Sequence, residues 1–372
     1  MFEDSASLLA EPLRVLGAAF IRTTGRPTQI DAPMAVFAIR KHRVGPPLWD
    51  AVGAEGCDEA GADLLARHAA ANAHSIATCA LVQARAIGAL AAAGVPALVF
   101  KGLPMAVALY GAAKRRHCGD IDILVRPGDY ANAAACLGAI GMARQVSYLP
   151  KDRPLNGLTA ALFRDITLVD DATKRKIELH KTVLFSRQTS DALLSADASM
   201  RPRLPARPGD IAAPEIGPAL ALYLLQHGAI SGWFRLKWLL DIARLMTRLD
   251  ETGAKELADL AELCGSAASA KASLLLMRAA FAQEMPGPLA AWVGEKSGSA
   301  AVMRRLRYYA GLINCNAEAE PNPFNSSRMA LKSTLLLAEH WSDRAEILLT
   351  APLATGLRHA MRRFASPAAE SD

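Results

Sequence analysis

The sequence has few cysteines and does not place them in pairs. Six cysteines occur in 372 residues, and no two of them form the CxxC pattern of zinc sites and redox motifs. A chain of this length buries a sizeable core without disulfides. The cysteines therefore favour reduced thiols in a cytosolic protein over a disulfide framework or a zinc site.

The sequence also lacks a secretion signal and a long apolar run. Acidic residues stand near the N-terminus, in "MFEDSASLLAEPLRVLG", where a signal peptide carries lysines. No uninterrupted apolar run approaches the roughly 20 residues that a membrane span requires. We expect a cytoplasmic protein that has no membrane partner.

Blocks of like charge are missing as well. Lys and Arg number 42 and Asp and Glu number 36, which gives a net charge of +6. This mild excess suits polyanionic ligands such as nucleotides, and it is equally compatible with a solvated surface. Because no Lys/Arg block or interleaving of basic and aromatic residues occurs, nucleic acid is not the expected partner.

The chain divides into four segments by composition and periodicity. Residues 1–93 are rich in Ala and Leu at helical spacing and predict an N-terminal helical region. Residues 94–200 alternate between strand-like and helix-like patterns. Residues 201–218 contain too many prolines for a helix or a central strand and predict a linker or surface loop. Residues 219–372 are again helical, and no internal repeat is present.

The second segment predicts a compact unit in which strands and helices alternate. The elements that we expect are a strand at 95–100, a helix with Pro104 in its first turn, a strand at 120–125, a helix after residue 126, and a hairpin of strands within 161–169 and 174–184. The predicted fold class is α+β, with a small mixed sheet flanked by N-terminal and C-terminal helical regions.

Two aspartates interrupt the apolar strand "DIDILV". Side chains at positions i and i+2 of a strand point to the same face, so Asp120 and Asp122 stand side by side, and their charges repel unless a cation lies between them. Glu178 and His180 share a face of the strand "KIELH" in the same way. If the two strands pair, three carboxylates surround one or two ions, and oxygen ligands of this kind suit Mg²⁺ or Mn²⁺. Such ions support phosphoryl-type transfer.

Each of these residues also has a purely structural interpretation. Asp120 could be a strand-start residue, and Asp122 a buried acid paired with Arg115 or Arg116. His180 is expected to form hydrogen bonds near the site rather than to bind a metal. In the later helix, Lys237 and Asp241 lie four residues apart and could simply form an ion pair.

The motifs "FKGLPMAVALYG", "RRHCGDIDILVRPGDY", "IELH" and "HGAISGWFRLKWLLDIARL" together resemble the bacterial nucleotidyltransferase family, a Lys-Gly/Asp-Ile-Asp branch of the polymerase-β-like superfamily. The resemblance covers residues 98–245. It implies that residues 94–200 form the nucleotidyltransferase core.

The resemblance also implies roles for individual residues. Asp120 and Asp122 take the place of the metal ligands, and Glu178 that of a third carboxylate, which helps to deprotonate the acceptor. Lys101 and Gly102 stand where the wider superfamily has a Gly-Ser loop at the nucleotide phosphates, although Leu103 replaces the serine. The implied nucleotide-binding residues are Lys101, Gly102, Arg115, Arg116, Lys237 and Asp241.

The function that this resemblance implies is Mg²⁺-dependent nucleotidyl transfer, with Mn²⁺ as the other candidate ion. A nucleoside monophosphate would pass from an NTP such as ATP to a hydroxyl or phosphate group, and pyrophosphate would be released. The acceptor would be a small molecule or a peptide, as in natural-product modification. The alternative is a nucleotide-binding pseudoenzyme or a partner-binding regulatory protein of the same fold. A purely helical scaffold does not explain paired acids in an apolar strand.

Overall fold

The computed structural model describes residues 8–20, 29–144, 164–183, 187–207, 209–315 and 327–339, together with a few positions between 342 and 349. Its chain divides into two compact units. The helical unit comprises Met1–Ser75, Ala106–His117 and Glu215–His340. The sheet unit comprises Ile76–Met105, Cys118–Pro214 and Trp341–Asp372.

The sheet unit contains a five-stranded mixed sheet. Its strands are β1 (Ala97–Val99), β2 (Asp120–Val125), β3 (Met142–Arg144), β4 (Asp165–Asp170) and β5 (Lys176–His180). The order across the sheet is β1-β2-β5-β4-β3. Strands β2 and β5 are parallel, and the other neighbouring pairs are antiparallel. The predicted strands 95–100, 120–125 and 174–184 thus belong to one sheet, and the predicted α+β class is confirmed.

Helices make up most of the rest of the described chain. They are α1 (Glu11–Phe20), α2 (Ala32–Arg40), α3 (Gly45–Val52), α4 (Glu59–Ala92), α5 (Leu103–Tyr110), α6 (Tyr130–Ala139), α7 (Arg187–Ala196), α8 (Pro218–Ile230), α9 (Leu236–Met246), α10 (Glu251–Leu263), α11 (Ala267–Phe281), α12 (Gly287–Gly294), α13 (Ala300–Asn314) and α14 (Ser327–Leu337). The N-terminal and C-terminal helical patterns of the sequence correspond to these helices.

One face of the sheet forms a hydrophobic core. On strands β2 and β5, the side chains that point to this face are at most 1 % exposed; they are Ile121, Ile123, Ile177 and Leu179. They pack in one cluster with residues of α6 and of the second half of α4. Because strand side chains alternate, the residues between them point to the opposite face. That opposite face carries Asp122, Glu178 and His180.

Several predicted elements occur where the sequence placed them. Helix α5 begins at Leu103, so that Pro104 lies in its first turn. A turn at residues 171–173 joins β4 to β5, as expected for the hairpin. Gly94 has a φ of +67° just beyond the end of α4, and its N–H donates to the carbonyl of Ala91, as a helix-terminating glycine does.

Other features were not predicted. Strand β3 is short and lies at the end of the sheet, and its three residues carry no recognisable strand pattern. The apolar stretch after residue 218 is two helices, because Gly232 and Trp233 adopt φ values of +60° and +52° between α8 and α9. The predicted strand segment at residues 161–163 lies outside the described residues.

The proline-rich segment contacts the sheet along its outer strand. Ala97 of β1 and Arg203 exchange backbone hydrogen bonds of 3.1 and 3.3 Å, and the N–H of Val99 donates to the carbonyl of Ala212 at 2.9 Å. The Arg203 side chain also donates to the carbonyl of Ala213 at 2.7 Å. These bonds cover the edge of β1, which would otherwise present unpaired backbone groups.

Helix α4 is long and apolar enough to cross a membrane by length and composition. Its most apolar 18-residue window has a mean hydropathy of 1.4, and 39% of that window is buried in the protein. This is weak evidence, because the core helix of a soluble protein passes the same test. The expectation that no stretch of the sequence approaches a membrane span overlooked this helix, since its apolar residues are mostly alanine.

Candidate functional site

The register of the neighbouring strands β2 and β5 brings two acidic residues together. Strands β2 and β5 pair in parallel with Asp122 opposite Glu178. The predicted pairing of these two strands is therefore present. His180 follows two residues after Glu178 and points to the same face of the sheet.

Asp122, Glu178 and His180 form a compact cluster. One ligand atom from each residue lies within 4.8 Å of the other two, so that the group could hold a metal ion. The Nε2 atom of His180 lies 3.3 Å from Oδ1 of Asp122 and 3.5 Å from Oε2 of Glu178. The Asp122 side chain is 1 % exposed, whereas that of Glu178 is 32 % exposed. Glu178 is thus the carboxylate of this cluster that solvent reaches more easily.

Lys101 forms an ion pair with the buried aspartate. Its Nζ atom lies 2.9 Å from Oδ1 of Asp122, and its side chain is 14 % exposed. The lysine directly precedes Gly102, which adopts a φ of +83° and lies close to the backbone carbonyl of Asp120. This left-handed turn is easily accessible to glycine and carries the chain from β1 into α5.

The charges of the cluster shift the pKa of each member. Burial alone would raise the pKa of Asp122, but Lys101 and His180 outweigh it and hold the pKa well below its usual range. Burial would lower the pKa of His180, but its hydrogen bonds to Asp122 and Glu178 raise it above its ordinary value. Asp122 is therefore ionised, and the imidazole keeps its proton to a higher pH than an ordinary histidine does.

Glu178 responds in the opposite direction from Asp122. Its hydrogen bond with His180 lowers its pKa, but burial and the negative charge of Asp122 together raise the pKa above the usual value. The negative charge of Asp122 disfavours ionisation of Glu178, and a cation bound between the two carboxylates would offset this effect. The two carboxylates therefore fit a divalent metal ion, with the imidazole of His180 beside them.

Asp120 stands apart from this cluster. It lies on the same face of β2 as Asp122, with Lys176 as its register partner on β5. Among the described residues, the metal-compatible group contains His180 and not Asp120. The Asp120 charge nevertheless contributes to the raised pKa of Glu178. The role of Asp120 as a metal ligand stays a prediction.

The two arginines before the strand have partners other than Asp122. Arg116 forms a bidentate ion pair with Asp241: Nε donates to Oδ1 at 2.8 Å and Nη2 donates to Oδ2 at 2.7 Å. Arg115 pairs with Asp50 at 3.1 Å and is about half exposed. The structural alternative that paired Asp122 with one of these arginines is wrong, because Lys101 supplies the positive charge.

The Arg116–Asp241 pair belongs to a buried network of the helical unit. The hydroxyl of Tyr110 donates to Oδ1 of Asp241 at 2.8 Å, so both carboxylate oxygens accept hydrogen bonds. Burial, reinforced by Asp241, raises the pKa of Tyr110 well above its usual value. Asp241 thus has Arg116 as its close ion-pair partner, in contrast to the suggested pair with Lys237.

Lys237 lies in a region of positive charge within the helical unit. Burial, together with the charges of Lys237 and Arg43, lowers the pKa of His117 to about 3. The His117 ring stacks on His68 with centroids 6.3 Å apart. His117 is therefore neutral at physiological pH. The nucleotide-binding roles of Arg115, Arg116, Lys237 and Asp241 stay predictions.

Sequence reasoning anticipated the hydrogen bonding of His180 near the site and missed one pairing. His180 contacts both carboxylates, and its position two residues after Glu178 on the same strand was the signal for this. The pairing of Lys101 with Asp122 had no local signal, because the two residues lie at different points of the chain.

Comparison with known proteins supports a single family. A family model described as "Uncharacterised nucleotidyltransferase" matches residues 28–282, which is more than half of the chain. The match includes Lys101, Asp122, Glu178 and His180. Neither the curated proteins nor the solved structures yielded a match.

Proposed function

Because the chain belongs to the family of uncharacterised nucleotidyltransferases, we propose that it transfers a nucleoside monophosphate from an NTP to a hydroxyl or phosphate group of an acceptor and releases pyrophosphate. The observation that carries this proposal is the register of Asp122 opposite Glu178, which gathers two carboxylates and an imidazole at one point of the sheet. An acidic site of this kind within a nucleotidyltransferase chain is suited to divalent-metal chemistry.

Asp122 and Glu178 would hold the metal ion, together with Asp120, which the sequence resemblance adds. Mg²⁺ is the proposed ion and Mn²⁺ the second candidate, since both prefer oxygen ligands. When bound, such an ion lowers the pKa of the acceptor and neutralises charge that develops on the transferred phosphate. Both carboxylates contact Nε2 of His180 and raise its pKa, so His180 is better suited to donate a hydrogen bond to them than to ligate the ion.

Glu178 is the proposed general base. Its pKa is raised, and its side chain is about one third exposed, so Oε2 is available to accept a proton from an acceptor hydroxyl. Asp122 is buried and held in its ionised form, which suits a fixed ligand rather than a proton acceptor. The two carboxylates therefore have different roles that follow from their different environments.

Lys101 and Gly102 are the proposed contacts to the NTP phosphates. Both precede the first turn of α5, where backbone N–H groups lack helical partners, and the lysine contributes a positive charge. Leu103 stands where the wider superfamily has a serine, so charge rather than a hydroxyl contact would attract the phosphates here.

The acceptor is proposed to be a small molecule or a peptide in the cytoplasm. The sequence has neither a Lys/Arg block nor the basic-aromatic interleaving of nucleic-acid binders, which supports this class over a nucleic acid. Natural-product modification is the setting that the sequence resemblance favours.

One observation favours a second candidate, a nucleotide-binding pseudoenzyme. Lys101 already forms an ion pair with Asp122, and His180 contacts the same oxygen, so the aspartate has partners without a metal. A pseudoenzyme would bind NTP but would release no pyrophosphate with any acceptor.

The test is pyrophosphate release from each of the four NTPs, with Mg²⁺ and a fractionated cell extract as the source of acceptors. Radiolabelled NTP then identifies the modified compound. The Asp122→Asn protein should release none, and Asp171→Asn, which removes an equal charge from the exposed β4–β5 turn, should match the wild type. Tight NTP binding without release by the wild type would favour the pseudoenzyme.

A further inference from the structure

A single carboxylate oxygen in the sheet unit is approached by the ammonium group of a lysine and by the imidazole ring of a histidine. Oδ1 of Asp122 lies 2.9 Å from Nζ of Lys101 and 3.3 Å from Nε2 of His180. Asp122 is 1 % exposed and Lys101 14 % exposed. A buried carboxylate requires such a partner, because an ionised group without one is costly to remove from water.

The same carboxylate belongs to the metal-compatible group with Glu178. Mg²⁺ binds oxygen at about 2.0–2.1 Å. An ion bound to Oδ1 of Asp122 would therefore lie within about 5 Å of the Lys101 ammonium group in its present position, as the sum of the two contact distances. At that separation two positive charges repel each other, and the repulsion is strong in a buried site because water screens it poorly.

We propose that Lys101 is an internal counter-cation, which occupies the Asp122 carboxylate in the metal-free protein and must withdraw from Oδ1 when a divalent metal ion binds. This inference rests on the proposed metal-dependent function. Lys101 is suited to such a movement, because its four-carbon stem is flexible and its side chain is partly exposed. The lysine thereby sets the affinity of the site for metal and keeps the buried carboxylate paired when metal is scarce.

The test measures Mn²⁺ binding, by electron paramagnetic resonance and by calorimetry, in the full-length protein without nucleotide. Lys101→Met removes the charge and keeps a side chain of similar length, and it should bind Mn²⁺ at least five-fold more tightly than the wild type. Lys101→Arg keeps the charge and should show no comparable increase in Mn²⁺ affinity. Lys255→Met is the control, since it removes the same charge from an exposed position on α10.

Thermal unfolding supplies a second readout that does not depend on enzyme activity. Lys101→Met should unfold at a lower temperature than the wild type when metal is absent, because Asp122 loses its lysine partner. Mn²⁺ should raise its unfolding temperature more than it raises that of the wild type. If the methionine variant does not fold, Lys101→Gln replaces it, since an amide can donate to Oδ1 without a charge. The glutamine variant should also bind Mn²⁺ more tightly.

The outcomes separate this inference from the proposed function. If the wild type binds Mn²⁺ and the uncharged Lys101 variants bind it equally or more weakly, the counter-cation role is wrong while metal-dependent transfer still stands. An equal increase in Mn²⁺ affinity in Lys255→Met would also contradict the counter-cation role, since the loss of one positive charge anywhere in the protein would then explain the increase. If neither the wild type nor any Lys101 variant binds Mn²⁺, both proposals fail.

Discussion

Asp122 of β2 is the direct register partner of Glu178 of β5, although the strands are separated in the chain by α6, β3 and β4. The two side chains lie on the sheet face opposite the hydrophobic core. Their environments differ, since Asp122 is buried beside Lys101 and Glu178 is partly exposed. The predictions about the sheet unit follow from this pairing and from the difference in exposure between the two carboxylates.

Asp122→Asn should abolish transfer and also destabilise the metal-free protein. Repulsion between Asp120 and Asp122 alone would predict a gain in stability on removal of one charge. The ion pair with Lys101 reverses that expectation, because the variant leaves a mostly buried ammonium group without its carboxylate. The free energy of unfolding should fall by about 3–5 kcal/mol. Urea unfolding in the presence of EDTA measures this, with Asp171→Asn as the control. A more stable variant would mean that repulsion dominates.

Glu178→Gln should slow the chemical step by about 10²–10⁴-fold, the range observed for loss of a general base. A general base acts in its ionised form, so the wild-type rate should rise as pH increases through the pKa that Glu178 has in the enzyme with Mg²⁺ and NTP bound. The glutamine variant should lack this rising limb, and Glu178→Asp should retain it with reduced activity. Single-turnover rates across the pH range are the measurement. An unchanged profile in the glutamine variant would assign the base elsewhere.

The contribution of His180 to the stability of the metal-free protein should decrease as pH rises above about 6.5. The pKa of His180 is raised on folding, so its protonated form stabilises the native state below the ordinary histidine pKa, and this contribution is lost as pH rises through the folded value. The unfolding temperature between about pH 6 and pH 9 tests the sign. The extra stability of the wild type over His180→Gln should shrink across this range, whereas the exposed His74→Gln should leave the pH dependence unchanged. The buried, neutral His117 adds an opposite pH dependence to both the wild type and His180→Gln, so the two proteins are compared with each other. A difference between them that grows with pH would contradict the assignment to His180.

Arg116→Met should destabilise the helical unit by about 3–5 kcal/mol, because it leaves the buried carboxylate of Asp241 without its bidentate partner. Arg115→Met should lower the free energy of unfolding by less than about 1 kcal/mol, since the ion pair of Arg115 with Asp50 is partly exposed to solvent. The double variant Arg116→Met with Asp241→Leu should recover part of the loss, because neither charge remains buried. Denaturant unfolding of all three proteins makes the comparison. Equal losses for the two arginines would show that burial does not distinguish them.

Lys101→Ala should weaken NTP binding in the presence of Mg²⁺ by about 1.5–3 kcal/mol, the range for a charge-assisted hydrogen bond. Lys101→Arg should restore the affinity only in part, because a planar guanidinium does not replace a compact ammonium in a tight turn. Calorimetric titration with NTP measures the difference, with Lys255→Ala as the charge control. Equal affinity in all variants would mean that Lys101 does not bind the NTP phosphates.

The sequence by itself determined the local elements of the sheet unit. The alternation in "DIDILV" predicted a strand with acids on one face and a core on the other, and Pro104 and Gly94 marked a helix start and a helix end. These features depend on backbone period and on the conformations that single residues allow, so neighbouring residues specify them. The short strand β3 has no such local pattern and was missed.

Only the tertiary structure decided which charges meet. Asp122 pairs with Lys101 rather than with Arg115 or Arg116, and Arg116 pairs with Asp241, 125 residues further along the chain. A sequence shows that an acid in an apolar strand requires a cation, but it does not identify that cation. Strand register and helix packing bring distant side chains to within 3 Å, and at that distance the cost of burying an ionised group selects the partner.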